Sequence, residues 1–202
     1  MKFTLLLAVT ALLAAADDPN HRIPRPSGSS LSTHEGTSLL GHPLETPATE
    51  VRLGDQAPNF SYQGVDRRWR HLRDMLVQGP VLLVFGADEL TLRVIEHERE
   101  RLLDLGVVAV AVMDARSGAA RAMVHRLDLR FTVLADAQGA IAAQFNAVDP
   151  ATGRHLPTWF VLDQKRRVRG LGRRGLPLRG YSALAANALG LPAPGAPLPA
   201  SK

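Results

Sequence analysis

The sequence predicts an α/β domain in which helices cover both faces of a mixed sheet. Three observations carry this. Val81-Leu82-Leu83-Val84-Phe85 and Val107 to Met113 are continuous apolar runs of strand length. Strands that are apolar on both faces belong to the centre of a sheet covered on both sides. Helical periodicity over Thr91 to Leu105 and Ala119 to Leu127 alternates with those strands, which is the pattern of parallel strands joined by helical crossovers. Near the end, Thr158 to Leu162 and Val168 to Leu171 flank the loop Asp163 to Arg167 and read as an antiparallel hairpin.

The chain has 202 residues, of which 46% are hydrophobic and 21% charged, enough for one domain with tails. Residues 1–16 read as a secretory signal peptide. Lys2 precedes an apolar run from Phe3 to Ala16, and Ala14-Ala15-Ala16 offers a small-residue cleavage site before Asp17-Asp18. The run is shorter than the roughly 20 residues of a membrane span, so a periplasmic or secreted location is expected, with no transmembrane segment after the signal is removed. Residues 17–50 are rich in Pro, Gly, Ser, Thr and His and show no period, as in a flexible linker. His21, His34 and His42 are too widely spaced there to suggest a metal site.

The domain spans residues 51–189. Leu53 to Phe60 is turn chemistry followed by a short extended piece, and Leu72 to Leu76 makes a helical turn or two before Gly79-Pro80. The strand Val81–Phe85 leads into the helix Thr91 to Leu105, stopped by Gly106. Ser117 is the expected cap of the helix Ala119 to Leu127. Phe131 to Leu134 forms a short strand, Asp136 to Gly139 a turn, Ala140 to Phe145 a short helix, and Tyr181 to Leu189 the last helix. Residues 190–202 are Pro- and Ala-rich and read as a disordered tail. A sheet with one parallel half and one antiparallel half, built in this order, has the layout of the thioredoxin fold.

Four stretches then resemble one family, the alkyl hydroperoxide reductase/thiol-specific antioxidant (AhpC/TSA) redoxins, which include the peroxiredoxins. Leu53-Gly54-Asp55-Gln56-Ala57-Pro58-Asn59-Phe60 resembles the family's GDxAPxF opening. Val81 to Phe85 resembles its strand before the active site. Leu134-Ala135-Asp136-Ala137-Gln138-Gly139 resembles its LxDxxG turn, and Leu156 to Asp163 its xPTxFxID strand. The resemblance implies thiol peroxidase or disulfide reductase chemistry, an antioxidant role, and a cis proline at Pro157 facing the reactive site.

The chain contains no cysteine. That excludes disulfides, thiolate nucleophiles, iron–sulfur clusters and cysteine zinc sites. The peroxiredoxin motif Pro-x-x-x-Thr-x-x-Cys falls on Ala87 to Val94, with Ala87 for the proline, Thr91 retained and Val94 for the cysteine. In the Cys-x-x-Cys register of the disulfide reductases, the two cysteines fall on Leu90 and Arg93. Peroxide reduction and disulfide exchange need a thiolate whose pKa is lowered at a helix N-terminus. Valine has no lone pair, and a threonine hydroxyl is no equivalent redox centre. The arginine that peroxiredoxins aim at the thiolate has no counterpart; Pro157 stands near its place, with Arg154 upstream. No catalytic residue, cofactor or metal is therefore expected, and Ala87, Thr91, Val94 and Pro157 mark a degenerate site.

The remaining constellations read as structural. Glu96 and Glu98 are spaced to pair with Arg99 and Arg101 on a solvated helix face. Asp88 and Glu89 sit where the helix dipole favours negative charge, which opposes anion binding at that point. Gly170, Gly172 and Gly175 match G-x-G-x-x-G, but no βαβ unit follows, so they read as a chance match or a mobile basic loop rather than a dinucleotide site. His125 is expected on the surface. Trp69 is expected either at an interaction edge or packing a short turn on the sheet, and Trp159 in the core or on the sheet.

The net charge is +5, and residues 165–179 are Arg-rich without any acidic residue after Asp163. This reads as a solvated face that could also rest on an anionic surface. Nucleic acid is not the expected partner, because no aromatic residues are interleaved for base stacking. The sequence thus predicts an exported redoxin-like domain that acts as a binding or scaffolding module for a protein partner. The alternative is an antioxidant oxidoreductase component whose missing thiol a partner supplies.

Overall fold

The computed structural model describes residues 50–63 and 68–192. The expected export signal, His21, His34, His42 and the rest of the expected linker up to residue 49, and the expected tail from residue 193, lie outside the described residues.

The order of elements is β1 (Ser61–Gln63), β2 (Trp69–His71), α1 (Leu72–Leu76), β3 (Val81–Phe85), α2 (Glu89–His97), α3 (Arg99–Asp104), β4 (Val108–Met113), α4 (Ser117–Leu127), β5 (Thr132–Ala135), α5 (Ala140–Gln144), β6 (Thr158–Leu162), β7 (Val168–Arg173) and α6 (Tyr181–Leu189). The main sheet has the order β5-β4-β3-β6-β7. β3, β4 and β5 are parallel, whereas β6 and β7 run antiparallel to their neighbours. This is the predicted mixed thioredoxin-like sheet, with β3 buried throughout at its centre.

Alternation along the strands divides the core. Val81, Leu83 and Phe85 join Val110, Val112, Phe160 and Leu162 on one face, under Leu72, Met75, Ile141 and Phe145 from α1, α5 and the residue after it. Leu82, Val84 and Val161 face the other way, under Ile95, Leu102, Tyr181 and Ala185 from α2, α3 and α6. The first face is aromatic: Phe145 packs 5.2 Å from Phe160, 5.3 Å from Phe85 and 5.9 Å from Phe60. Phe60 is the last residue of the opening motif, which holds to the hairpin through Gly54 N to Val168 O and Ala57 N to Arg166 O, each 2.8 Å.

Several expectations change. The helix expected over Thr91 to Leu105 begins two residues earlier and is two helices, α2 and α3, meeting at Glu98 (φ −92°, ψ 1°). Its end is as expected. Gly106 N reaches Leu103 O and Val107 N reaches Leu102 O, both at 2.8 Å, around a left-handed glycine (φ 69°), which is a Schellman motif. Ser117 is the first residue of α4 rather than its cap, a place held by Arg116 without a side-chain bond.

Glu98 is not on a solvated face. It is buried, and its carboxylate accepts from Ser182 N at 2.8 Å, from the Ser182 hydroxyl at 2.7 Å and from Gly180 N. Gly180 is the N-cap of α6 and has no side chain to satisfy the first N–H groups of that helix. Glu98 does so from 84 residues away. The ion pair expected for this region forms only between Glu96 and Arg99, at 3.1 Å.

Trp69 is 70% exposed on β2 and packs no turn on the sheet, because the small β1–β2 hairpin is a separate ladder. Trp159 is half-buried, and the glycines of β7 explain its place. A Cβ on Gly172 would lie 2.2 Å from the Trp159 Nε1, and one on Gly170 2.8 Å from Ala188 Cβ. Gly170 and Gly172 therefore lie inside a strand, clearing room for an indole and for α6, and form no loop. His125 is exposed, as expected. Arg173, expected on a solvated basic face, is instead drawn inward. Its guanidinium donates to Val51 O at 2.7 Å, Asn146 O at 3.1 Å and Phe145 O at 3.2 Å, and lies 5.4 Å above the Phe160 ring.

Burial opposes the charged form of Glu98, but bonds from Ser182, Gly180 and Tyr181 outweigh it and hold its pKa below the ordinary glutamate value. Its stabilisation is thus complete above that ordinary value and is lost as pH falls through the lowered one. Glu98→Ala strands several buried donors and is expected to cost about 3 kcal/mol. Glu98→Gln keeps an acceptor and should cost less. Urea unfolding of both variants and the parent across acidic pH checks this: the gap between parent and Glu98→Gln should narrow as the parent's carboxylate protonates.

Candidate functional site

The sheet brings together the C-terminal end of β3, the start of α2 and the loop before β6. Gly86, directly after β3, has φ 63°. A Cβ there would meet Leu156 C and Pro157 N at 3.0 Å and Leu156 O at 3.1 Å. Those are backbone atoms that cannot swing aside, so glycine is required both for the left-handed turn and for the close approach. The register Phe85↔Thr158 between β3 and β6 fixes that approach.

The result is a groove of about 420 Å³ lined by Asp88, Leu90, Thr91, Val94 and Pro157 on one side and Leu176, Pro177 and Leu178 on the other. Three of the expected positions, Thr91, Val94 and Pro157, therefore meet. Ala87 does not line the groove; it packs inward between the cores under α2 and α4. Arg154 is also away from it, exposed and 3.9 Å from Asp114. The Leu176–Leu178 wall was invisible in the sequence. It is placed by Gly175 N, which donates to Pro157 O at 3.0 Å. The Leu156–Pro157 peptide is trans, as are all described peptide bonds, contrary to the resemblance. Close packing on Gly86 holds this loop.

The start of α2 is negatively charged, as expected. Asp88 is its N-cap; the Thr91 hydroxyl and the Thr91 N–H, at 2.8 Å, hold its carboxyl below the usual range. Glu89 is lowered by Arg126 at 2.7 Å and Arg93 at 2.9 Å. Thr91 is buried, and its hydroxyl lies between Asp88 and Tyr181. Tyr181 lies beneath it, fully buried, its hydroxyl facing Thr91 without a well-formed bond. Burial pushes that phenol up to about 12.

The geometry separates the two cysteine registers. Leu90 is the second residue of α2, 58% exposed on the groove. Val94 is the sixth residue, in the second turn, with part of its side chain against the core. The amide and dipole field that lowers a thiol pKa fades beyond the first turn. Leu90 therefore stands where a reactive thiol would sit, and Val94 does not. The signal was the Asp88 cap three residues before Thr91, which starts the helix earlier than the apolar period suggested.

Behind the groove, sequence reading missed a buried pair. His155 Nε2 lies 3.2 Å from Asp136 Oδ2, with side chains 1% and 5% exposed. Asp136, from the LxDxxG turn, also accepts from Ala142 N at 2.9 Å and Ile141 N at 3.1 Å, capping α5. No group of three or more His, Asp or Glu among the described residues is arranged to hold a metal ion.

This sheet, with a groove where the helix after its central strand meets a loop proline, defines a thioredoxin-like domain of the peroxiredoxin type. Residues 53–171, more than half of the chain, match the AhpC/TSA family, and the chain belongs to that family. No curated protein matches it by sequence. Solved structures similar to it include the peroxidoxin BcpB of Mycobacterium tuberculosis (21% identity, 69% of this chain and 97% of that one, TM-score 0.60). The mitochondrial 2-Cys peroxiredoxin of Plasmodium falciparum (15%, 69% and 93%, 0.58) and AhpC of Enterococcus faecalis (15%, 70% and 92%, 0.58) are also similar. At these identities the likeness is one of fold.

A cysteine introduced at Leu90 should titrate below the ordinary thiol value of about 8.5, although Asp88 and Glu89 limit the fall. One introduced at Val94 should titrate at or above that value. Alkylation rates against pH for Leu90→Cys and Val94→Cys check the order; the reverse order would restore the peroxiredoxin register.

Proposed function

We propose that this chain is an exported redoxin-like domain that binds a partner through the groove at the start of α2 and carries neither thiol peroxidase nor disulfide reductase activity. One observation supports it above the others: the groove is complete, yet the chain has no cysteine to place in it. Leu90, Arg93 and Val94 hold the positions where either register requires a thiol. None of the three can form the thiolate that attacks a peroxide or a disulfide. Leu90 and Leu178 leave the groove rimmed by exposed apolar side chains, at 58% and 80% exposure, which suits a contact surface better than a reaction centre.

Export rests on the sequence of residues 1–16. Among the described residues no helix is long and apolar enough to cross a membrane. N-terminal sequencing of the protein recovered from the envelope or medium should begin at Asp17.

The purified chain should consume hydrogen peroxide in the presence of dithiothreitol, and reduce insulin, no faster than buffer. Turnover that survives repurification would overturn the reading. Peroxidase activity in the native complex but not in the isolated chain would replace it with the partner-supplied thiol. Leu90→Asp should abolish partner capture while leaving the fold intact by circular dichroism.

A further inference from the structure

The opposite pole of the sheet carries a second concavity. The register Val81↔Leu162 puts the β6–β7 loop at the N-terminal end of β3, while the groove described above lies beyond its C-terminal end. Five residues of strand, at about 3.3 Å each, separate the two. Here Gln56, Arg73, Leu76, Val77, Gln164, Lys165 and Arg166 line a groove of about 530 Å³.

Its lining holds three cations, two amides and no carboxylate. Among the described residues Lys165 and Arg166 form no ion pair, and Arg73 only a loose one, 3.9 Å from Asp74 with the arginine 70% exposed. The nearby acids are engaged by backbone N–H groups, Asp163 within the β6–β7 loop itself. Asp74 accepts from His71 N at 2.7 Å, and Asp163 accepts from Lys165 N and Arg167 N, both at 2.9 Å. Arg166 is the least settled of the three. Its backbone is left-handed, with φ 65°. Its Nε is covered by protein and has no hydrogen-bond partner. A buried donor without a partner costs free energy, and this guanidinium can turn onto a ligand oxygen without breaking any bond it now makes.

The frame around these side chains is rigid. Ala57 N donates to Arg166 O at 2.8 Å, and Val168 N to Asp55 O at 2.9 Å, so the opening motif pairs with the hairpin on both sides of Arg167, next to the basic pair. Arg166 N donates to Asp163 O at 2.8 Å, closing the loop itself. A fixed backbone leaves only side-chain rotamers to be ordered when these cations meet an anion. Guanidinium groups suit phosphate oxygens through paired, charge-assisted N–H bonds. Leu76 and Val77 add an apolar wall.

We infer that this groove, between α1 and the β6–β7 loop, binds a phosphate group through Arg73, Lys165 and Arg166. The site is separate from the α2 groove and does not depend on how that groove functions. The phosphate belongs either to a small soluble organophosphate or to a lipid headgroup, and the test distinguishes them.

Inorganic pyrophosphate is titrated into the full chain by calorimetry and by amide NMR, and vesicles of phosphatidylglycerol are tested by co-sedimentation. Saturable pyrophosphate binding is expected, with shifts gathered at residues 54–57, 73–77 and 163–168. Arg166→Asn, which tolerates the left-handed backbone, and Lys165→Gln should each weaken binding about tenfold. Arg121→Gln, an exposed cation on α4, should change it less than about twofold. Lys165→Gln keeps the test sound if Arg166→Asn unfolds. Pyrophosphate binding that obeys this order supports a soluble ligand. Vesicle binding that obeys it while pyrophosphate fails supports a lipid headgroup. No saturable binding of either probe, or equal weakening by Arg121→Gln, overturns the proposal in favour of diffuse surface charge.

Discussion

The carboxylate of Glu98 sets the shape of one whole face. Buried against the first turn of α6, it satisfies N–H groups that Gly180 leaves open. In reaching them it divides what would be one helix into α2 and α3. α6 is thereby seated over β3 and β6, with Tyr181 and Ala185 in the core. The segment between β7 and α6 must then return along the end of the sheet, where Gly175 bonds to Pro157 and Leu176–Leu178 close the groove. A buried charge is costly unless it is hydrogen-bonded, and this one is bonded by several donors. The wall of the candidate site is a consequence of that arrangement.

Arg173 plays the corresponding part on the other face. Three carbonyls from the segments around Val51 and Phe145 converge on its guanidinium, which is further paired with Glu50 at 3.1 Å. The start of the domain, the end of α5 and β7 are tied at one point, beside the Phe60–Phe145–Phe160 cluster. The positive charge that looked like surface in the sequence is structural here, whereas Lys165 and Arg166, a few residues earlier, have no ion-pair partner among the described residues.

The groove persists without a thiol because none of its supports involves one. Gly86 is there for backbone approach, Asp88 for capping, Thr91 for the Asp88 bond and Pro157 for the loop packed on Gly86. Each is maintained by folding energy alone. A scaffold of this kind holds its cleft whether or not a nucleophile stands in it.

The sequence alone determined the five strands of the main sheet, its mixed character and the family, because apolar runs, turn residues and short motifs are local signals, whereas the small β1–β2 ladder gave none. The absence of cysteine, and with it of thiol chemistry, was equally legible. Tertiary structure alone decided whether a charge faces water or protein. Glu98 and Arg101 show the spacing of a surface pair, yet Glu98 serves a helix 84 residues away. Gly172 lies past the expected end of the last strand, and only the indole of Trp159 lying across it shows that the strand continues. His155 gave no sign of Asp136, nor Arg173 of the carbonyls around it. These contacts join residues far apart in the chain, and only the packing of the sheet brings them within bonding distance.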